Sequence, residues 1–442
     1  MTWLNGRLPD METRTMFKKS RLLAFSCLLA TAPVLQAAEG GIERLYSDAK
    51  NLNITLLSRG YDREISANAI DEARSLLMPQ VSFTRNEVIK DPKYDFGYTK
   101  KSHLNNYNLS LTQAVYNRQS WSTLKQSKIA LQLSGLREQQ SDTALLKSLV
   151  SFYLEYLKQK ELLAIADQRL ESNRLQLRQS EEMFKGGMIV VTAVHEARSS
   201  LDLARASRLN TERTLQVAEQ QLYDFMRSRE VSVDEYVLGL NVNDPRELPF
   251  DELIDVDIDQ NFDIRIAKEQ LALLQAGVRT AHAEHYPTVN LTAAQTDSSA
   301  PFTKPDRTLT LTLSVPLYQG GGPTSRVSQS RLKVDQQQET LTYTTFRVRD
   351  QIANIVDNHQ ILSDQYQASL NAKQSSGKAL KALQAGFKGG ERTIADVLAA
   401  QNSIFDIDQS LVLIKFGLLE NYLELNDLAG MLTPDFAKQL VK

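Results

Sequence analysis

The sequence predicts a mainly α-helical chain with a membrane β-barrel, built as two structural repeats, each a strand pair plus a long coiled-coil helical hairpin. Three observations predict it. A secretory leader is followed by no apolar run of about 18 residues, the length a membrane helix needs. One series of motifs is written twice. Apolar positions recur every second residue in short stretches and every seventh in very long ones.

The leader comes first. Lys18, Lys19 and Arg21 precede the apolar stretch Leu22 to Ala32, and small residues end at Ala37 and Ala38. Residues 1–38 therefore read as a signal peptide, with Met16 as the expected start. The single cysteine, Cys27, lies inside it, after a poor lipoprotein cleavage box, Ala24-Phe25-Ser26. No disulfide, thiol chemistry or lipid anchor is expected beyond the leader. Net charge is −2, which gives no sign of a nucleic-acid partner. Leu, Ala, Gln, Ser, Lys and Glu dominate, as in chains with much helix.

The repeat shows in three motif pairs. Met78-Pro79-Gln80-Val81-Ser82-Phe83-Thr84 matches Tyr286-Pro287-Thr288-Val289-Asn290-Leu291-Thr292. Leu111 to Tyr116 matches Leu313 to Tyr318, and Phe184-Lys185-Gly186-Gly187 matches Phe387-Lys388-Gly389-Gly390. The offset is roughly 200 residues each time. The first repeat spans 39–229, with a strand pair at about 79–116 and a hairpin tip near 184–192. The second spans 264–429, with a strand pair at about 287–318 and a tip near 387–396. Residues 230–263, mixed and acidic with Pro245 and Pro249, read as an equatorial linker packed around the helices, which the tail 430–442 could join.

The strands alternate cleanly. Leu309, Leu311, Leu313 and Val315 fall on one face, and Thr308, Thr310, Thr312 and Ser314 on the other. Tyr107, Leu109 and Leu111, and Val289, Leu291 and Ala293, repeat the pattern. Apolar outward and uncharged polar inward suits a membrane barrel with a wet lumen. The same alternation fits a half-buried antiparallel sheet in a soluble protein. Four strands cannot close a barrel with a lumen, and open edges are not tolerated in lipid. If the strands span a bilayer, several chains must share the barrel. The loops near Lys90 to Lys101 and Asp297 to Asp306 are polar and suit its outer end.

Leu149, Tyr156, Leu163, Leu170, Leu177 and Phe184 recur every seventh residue, as do Val397, Ile404, Leu411, Leu418 and Leu425. A sustained seven-residue repeat means left-handed coiled-coil packing. Ser120 to Phe184 and Pro323 to Phe387 can each form ~100 Å of helix at 1.5 Å per residue, enough to reach across a periplasm. Each Phe-Lys-Gly-Gly break lies between two such helices, far from the strands, where two glycines permit a positive-φ reversal.

Past the breaks the chain reads Met188-Ile189-Val190-Val191-Thr192-Ala193 and Glu391-Arg392-Thr393-Ile394-Ala395-Asp396-Val397-Leu398. The second resembles the inner hairpin tip of the TolC family of outer-membrane efflux and secretion channels, and the first resembles its outer hairpin more loosely. The likeness runs over both repeats and the Leu317-Tyr318-Gln319-Gly320-Gly321 junction. It implies a homotrimer with a twelve-stranded transmembrane β-barrel on an α-helical tunnel in the periplasm. Such a duct carries secreted proteins (type I secretion) or small toxic compounds out of the cell. Its partners are outer-membrane lipid, a periplasmic adaptor (membrane fusion protein) and an inner-membrane pump, ABC or proton-driven. No cofactor is implied. The resemblance places a gate at Thr192, Phe387, Arg392 and Asp396, and adaptor docking at Gly186, Gly187, Gly389 and Gly390. In the family, arginine and threonine link the hairpins, and these fall on Arg392 and Thr192. A second family link, tyrosine to aspartate, falls on Phe387 and Ala193. Asp396 matches one carboxylate of a selectivity ring, and Ala399 stands where another would be. Three such carboxylates around an axis repel and raise one another's pKa. Thr192 and Thr393 also fit ordinary N-caps, Asp396 an ordinary first-turn acid, and Arg392 a solvated tip residue.

Other signals carry less. His282 and His285 lack further ligands, and the Asp255-Asp257-Asp259 run has Gln260 where a calcium loop needs glycine. No nucleophile elbow, phosphate loop or dinucleotide fingerprint occurs, which argues against a secreted enzyme. The main rival is a periplasmic coiled-coil adaptor or scaffold, which shares the leader and hairpins but needs neither two repeats nor amphipathic strands.

Overall fold

A computed structural model describes residues 46–47, 49–51, 53–90, 102–226, 245, 248–250, 258–299 and 303–432. The leader, the outer loop at 91–101, most of the linker and the tail from 433 lie outside these residues. The elements are α1 (Ile54–Ser75), β1 (Gln80–Lys90), β2 (Ser102–Asn117), α2 (Arg118–Lys185), α3 (Val191–Met226), α4 (Phe262–His282), β3 (Thr288–Ser298), β4 (Asp306–Ser314), α5 (Gly322–Lys388) and α6 (Ile394–Leu428).

The strands form one antiparallel sheet in the order β1-β2-β3-β4. Register sorts the side chains by chemistry, because directly paired residues share a face. Val81, Leu111, Ala293 and Leu309 form one row, and Leu291 with Leu311 and Val289 with Leu313 follow it. Opposite lie Gln80, Thr112, Thr292 and Thr310, then Ser82, Ser110, Ala294 and Thr308. Hydroxyls and amides bridge strands on that face: Ser82 meets Ser110 at 2.8 Å, and Ser298 donates to Asn106 at 2.7 Å. A bulge at Val115 resets the pairing so that Tyr116 opposes Val289 on the apolar face. No described element covers this face. Leu309 is 73% exposed and Phe83 66%. A soluble half-buried sheet would hide these residues against a helix layer, so the soluble alternative does not describe this sheet. Among the described residues no helix is long and apolar enough to cross a membrane.

Asn117 ends β2 and starts α2 at once, its side chain accepting from Ser120 N at 3.1 Å. The helix runs 68 residues, and its counterpart α5 runs 67. Hairpins α2–α3 and α5–α6 pack side by side, with α6 against α2. The main core lies partway down α2, where Leu146, Leu149 and Leu154 meet Leu222 of α3 and Phe416 and Leu419 of α6. Asn261 joins the linker's end to this frame. Its carbonyl oxygen caps α4 at Asp263 N (2.9 Å), and its amide donates to the Leu428 carbonyl at 2.9 Å. Of the linker, Phe250 is buried against Leu425 and stacks on His359 at 3.6 Å.

The second heptad stripe is a buried seam: Val397, Leu411, Leu418 and Leu425 are buried and Ile404 half-buried. The first departs from expectation below Tyr156. Leu163, Leu170 and Leu177 are only half-buried, and Phe184 is 44% exposed. The buried line there is Ala166, Asn173 and Ser180, also seven apart, with Gln176 beside it. Small and polar side chains let α3 and α6 approach α2 closely on that line, while the bulkier leucines face outward.

Candidate functional site at the hairpin tips

Both breaks close the same way. Met188 N donates to Met183 O (2.9 Å) and Gly187 N to Phe184 O (2.9 Å); Glu391 N donates to Gly386 O (2.9 Å) and Gly390 N to Phe387 O (3.1 Å). These are Schellman caps. Only the second glycine of each pair uses positive φ, +70° at Gly187 and +78° at Gly390. Gly186 and Gly389 remain right-handed, at φ −78° and −82°. The expectation of two permissive glycines per turn is corrected to one, because a Schellman cap needs a single left-handed residue.

A cleft of about 540 Å³ separates the tips. Of the four expected gate residues Thr192, Phe387 and Arg392 line it and Asp396 does not; of the expected docking turns Gly389 and Gly390 line it. Gly186 and Gly187 lie outside it. Among the described residues no hydrogen bond joins Arg392 to Thr192. The Arg392 stem instead lies over Gly386, where an added Cβ would sit 3.0 Å from its Cγ. Thr192 is the second residue of α3 rather than its cap. Thr393 does cap α6, in a capping box with Asp396. Thr393 N donates to the Asp396 carboxylate at 3.1 Å, and Asp396 N donates to Thr393 Oγ1 at 3.2 Å. The backbone and hydroxyl of Thr393, helped by Arg392, hold the Asp396 pKa below the usual carboxylate range.

Phe387 and Ala193 lie together in a buried apolar cluster with Ile394, Val397 and Leu398. Where the family's polar link would stand, the two hairpins meet through hydrocarbon. The spacing of Ile394, Val397 and Leu398 fits this buried face, and the family resemblance set Ala193 opposite Phe387.

Behind the tip, α2 and α6 are joined by a polar ladder that only register reveals. Lys147 pairs with Asp427 (2.9 Å) and Glu424 (3.1 Å), Lys415 with Glu161 (2.7 Å), and Arg169 with Asn402 (2.9 Å) and Asp406 (3.5 Å). Gln401 then bonds Ser172. Burial works to lower the Lys147 pKa, and Asp427 and Glu424 more than offset it, so the net shift is upward. The partners lie hundreds of residues apart in sequence, so no local motif marks them.

A family model for outer membrane efflux proteins matches residues 45–226 and 253–431. Outer membrane protein TolC of Escherichia coli K12 is 25% identical over 414 residues, covering 88% of this chain and 82% of that protein. The proteases secretion protein PrtF of Dickeya chrysanthemi is 24% identical, covering 87% of each. The solved transmembrane channel CusC superposes with a TM-score of 0.77 at 16% identity, over 88% of this chain and 92% of that one. Both repeats, the uncovered sheet and the hairpins fall within these matches, which favours a channel over an adaptor. The protein is an outer-membrane export duct, and the chain belongs to the outer membrane efflux protein family.

Proposed function

We propose that this duct is a homotrimer whose tips form a periplasmic gate, opened by an adaptor and an inner-membrane pump, ABC or proton-driven, and that it passes cargo without chemistry of its own. The observation that carries it is the sheet: four strands, both outer edges unpaired among the described residues, one face of exposed leucine and the other of hydroxyls. Lipid tolerates neither open edge, so β1 of one copy pairs with β4 of the next, and the family likeness makes the number of copies three. The half-exposed stripe from Leu163 to Phe184 then packs on a neighbouring subunit. The leader 1–38 directs export, and the two repeats with their linker divide the chain as the sequence implies.

At the gate, the apolar cluster of Phe387 with Ala193 and the ladder from Lys147 to Gln401 hold the inner hairpin to the outer one. Arg392 and Thr192 flank the cleft without a hydrogen bond between them, and Arg392 acts there through its charge and the packing of its stem on Gly386. Three Asp396 carboxylates ring the entrance, where their repulsion opposes the stabilisation from Thr393. The turns at Gly186, Gly187, Gly389 and Gly390 dock the adaptor, with Met188 and Val190, 66% and 69% exposed, as apolar contacts. Cargo of the protease-secretion kind fits the likeness to PrtF.

Two experiments test this. Cysteines at Val81 and Leu309, on opposite edges of the sheet, should cross-link into dimers and trimers in membranes; monomers alone would refute the shared barrel. Arg392→Ala should raise single-channel conductance, and an unchanged value would remove Arg392 from the gate.

A further inference from the structure

A basic and aromatic groove lies where the strands become helices. It occupies about 470 Å³ between the start of α2 and the end of α4, and Arg118, Lys125 and Arg279 line it with His282, Tyr116 and Trp121. No carboxylate lines it. Among the described residues none of the three cations is paired with an acid, although other basic side chains on these helices are: Lys147 with Asp427, Arg174 with Glu171, Lys268 with Asp259. Arg118 is fixed instead over the Tyr286 ring, 4.0 Å from its centroid. Arg279 and His282 suit the end of α4, where the helix dipole favours cations. Arg118, the first residue of α2, has no such reason, since the dipole there disfavours a cation, and Lys125, two turns in, lies beyond its reach.

The groove faces outward. Tyr116 pairs with Val289, which pairs with Leu313, so it belongs to the apolar face of the sheet. It is also not a subunit edge, because α2 and α4 each have chain neighbours on both sides, α1 and α5. Its depth follows from the strands. Arg118 lies two residues past Tyr116, the end of the apolar rows, and Trp121 one turn further. At ~1.5 Å per helical residue that is the headgroup layer, about 5–8 Å thick on each side of the hydrocarbon. Lys125, a turn lower, can reach up to it on its flexible stem.

We infer that this groove binds the phosphate-bearing headgroup of an anionic phospholipid in the periplasmic leaflet of the outer membrane, with Arg118, Lys125 and Arg279 on the phosphate and Trp121 and Tyr116 at the glycerol and acyl boundary. The three cations face an anionic group, and the apolar rows directly above take the acyl chains. A free phosphate satisfies the cations but leaves the aromatic half unused. The site rests on the outer-membrane placement and does not depend on the gate.

The chain has two tryptophans, Trp3 within the leader and Trp121, so in the exported channel fluorescence reports on this groove alone. The purified full-length channel in neutral detergent is titrated with phosphatidylglycerol, phosphatidylcholine or inorganic phosphate. Phosphatidylglycerol should give a saturable Trp121 change, phosphatidylcholine a much weaker one, and 10 mM phosphate, roughly ten thousand times a micromolar lipid site, should not compete. Arg118→Gln, Lys125→Gln and Arg279→Gln should each weaken the midpoint about fivefold, and the triple variant roughly a hundredfold. Arg118→Lys with Arg279→Lys should keep most of the affinity, which separates lost charge from misfolding. Equal midpoints for wild type and the triple variant overturn the site. Equal responses to both lipids, or full competition by phosphate, overturn its assignment to an anionic lipid.

Discussion

Phe387→Ala isolates the apolar half of the tip. Phe387 is 8% exposed and buried among Ala193, Ile394, Val397 and Leu398, with Met183 and Leu383 packed around them. Truncating a buried phenylalanine costs ~3–5 kcal/mol when a closed cavity is left behind. Here the side chain also borders the open cleft, so water fills part of the vacated space and the transfer contribution dominates, about 2–3 kcal/mol. Each 1.4 kcal/mol is tenfold, so loss of about 2 kcal/mol per subunit shifts a closed tip toward an open one roughly 30-fold. The main core around Leu146 and Phe416 is a separate cluster and stays intact, so the thermal midpoint should move little. Single-channel recordings in planar bilayers should show longer and larger openings, and cells carrying the variant should leak antibiotic. Unchanged conductance from a properly assembled variant would refute the claim that this cluster closes the tip. A large fall in thermal midpoint with no conductance change would make Phe387 part of the fold rather than of the gate.

Three further outcomes follow. Lys415→Gln and Glu161→Gln should each destabilise by about 1–2 kcal/mol, between the exposed and buried regimes of ion pairs, and a double-mutant cycle should show positive coupling; additivity would dismiss the 2.7 Å contact as incidental. Gly430→Ala should destabilise the joint between α6 and the linker's end by more than about 2 kcal/mol, since its φ is +69° and the new Cβ would stand 2.6 Å from the Gln260 carbonyl; a thermal midpoint equal to wild type would contradict that geometry. The Asp396 pKa is lowered in the folded chain, so its contribution to the α6 cap is present above the unfolded carboxylate value, near 4, and is lost as pH falls through the folded value. Protection of the Thr393 amide, which donates to the Asp396 carboxylate, should therefore drop on acidification once corrected for intrinsic rates, and lose this dependence in Asp396→Asn. Equal protection at pH 6 and pH 2.5 would count against the capping box.

Much of this protein is local and periodic, and the sequence alone determined that part. Alternation at Thr308 to Val315 decides which atoms face which way on a strand, whatever the strand packs against. Seven-residue spacing from Val397 to Leu425 decides which stripe of α6 can be buried. Thr393 with Asp396 starts a helix, and Gly187 and Gly390 each end one, through contacts within a few residues, so their signatures are short. What only the tertiary structure decided depends on register between distant segments. Leu163 to Leu177 keep the heptad yet face outward, because the choice between that stripe and Ala166, Asn173 and Ser180 is made by how closely α3 and α6 approach. Lys415 finds Glu161, and Arg118 with Lys125 finds Arg279, each across an antiparallel pairing of helices. A helix sequence fixes the faces a residue can occupy. The partner on that face is fixed by the axial offset of the neighbouring helix, a quantity that no single stretch of chain contains.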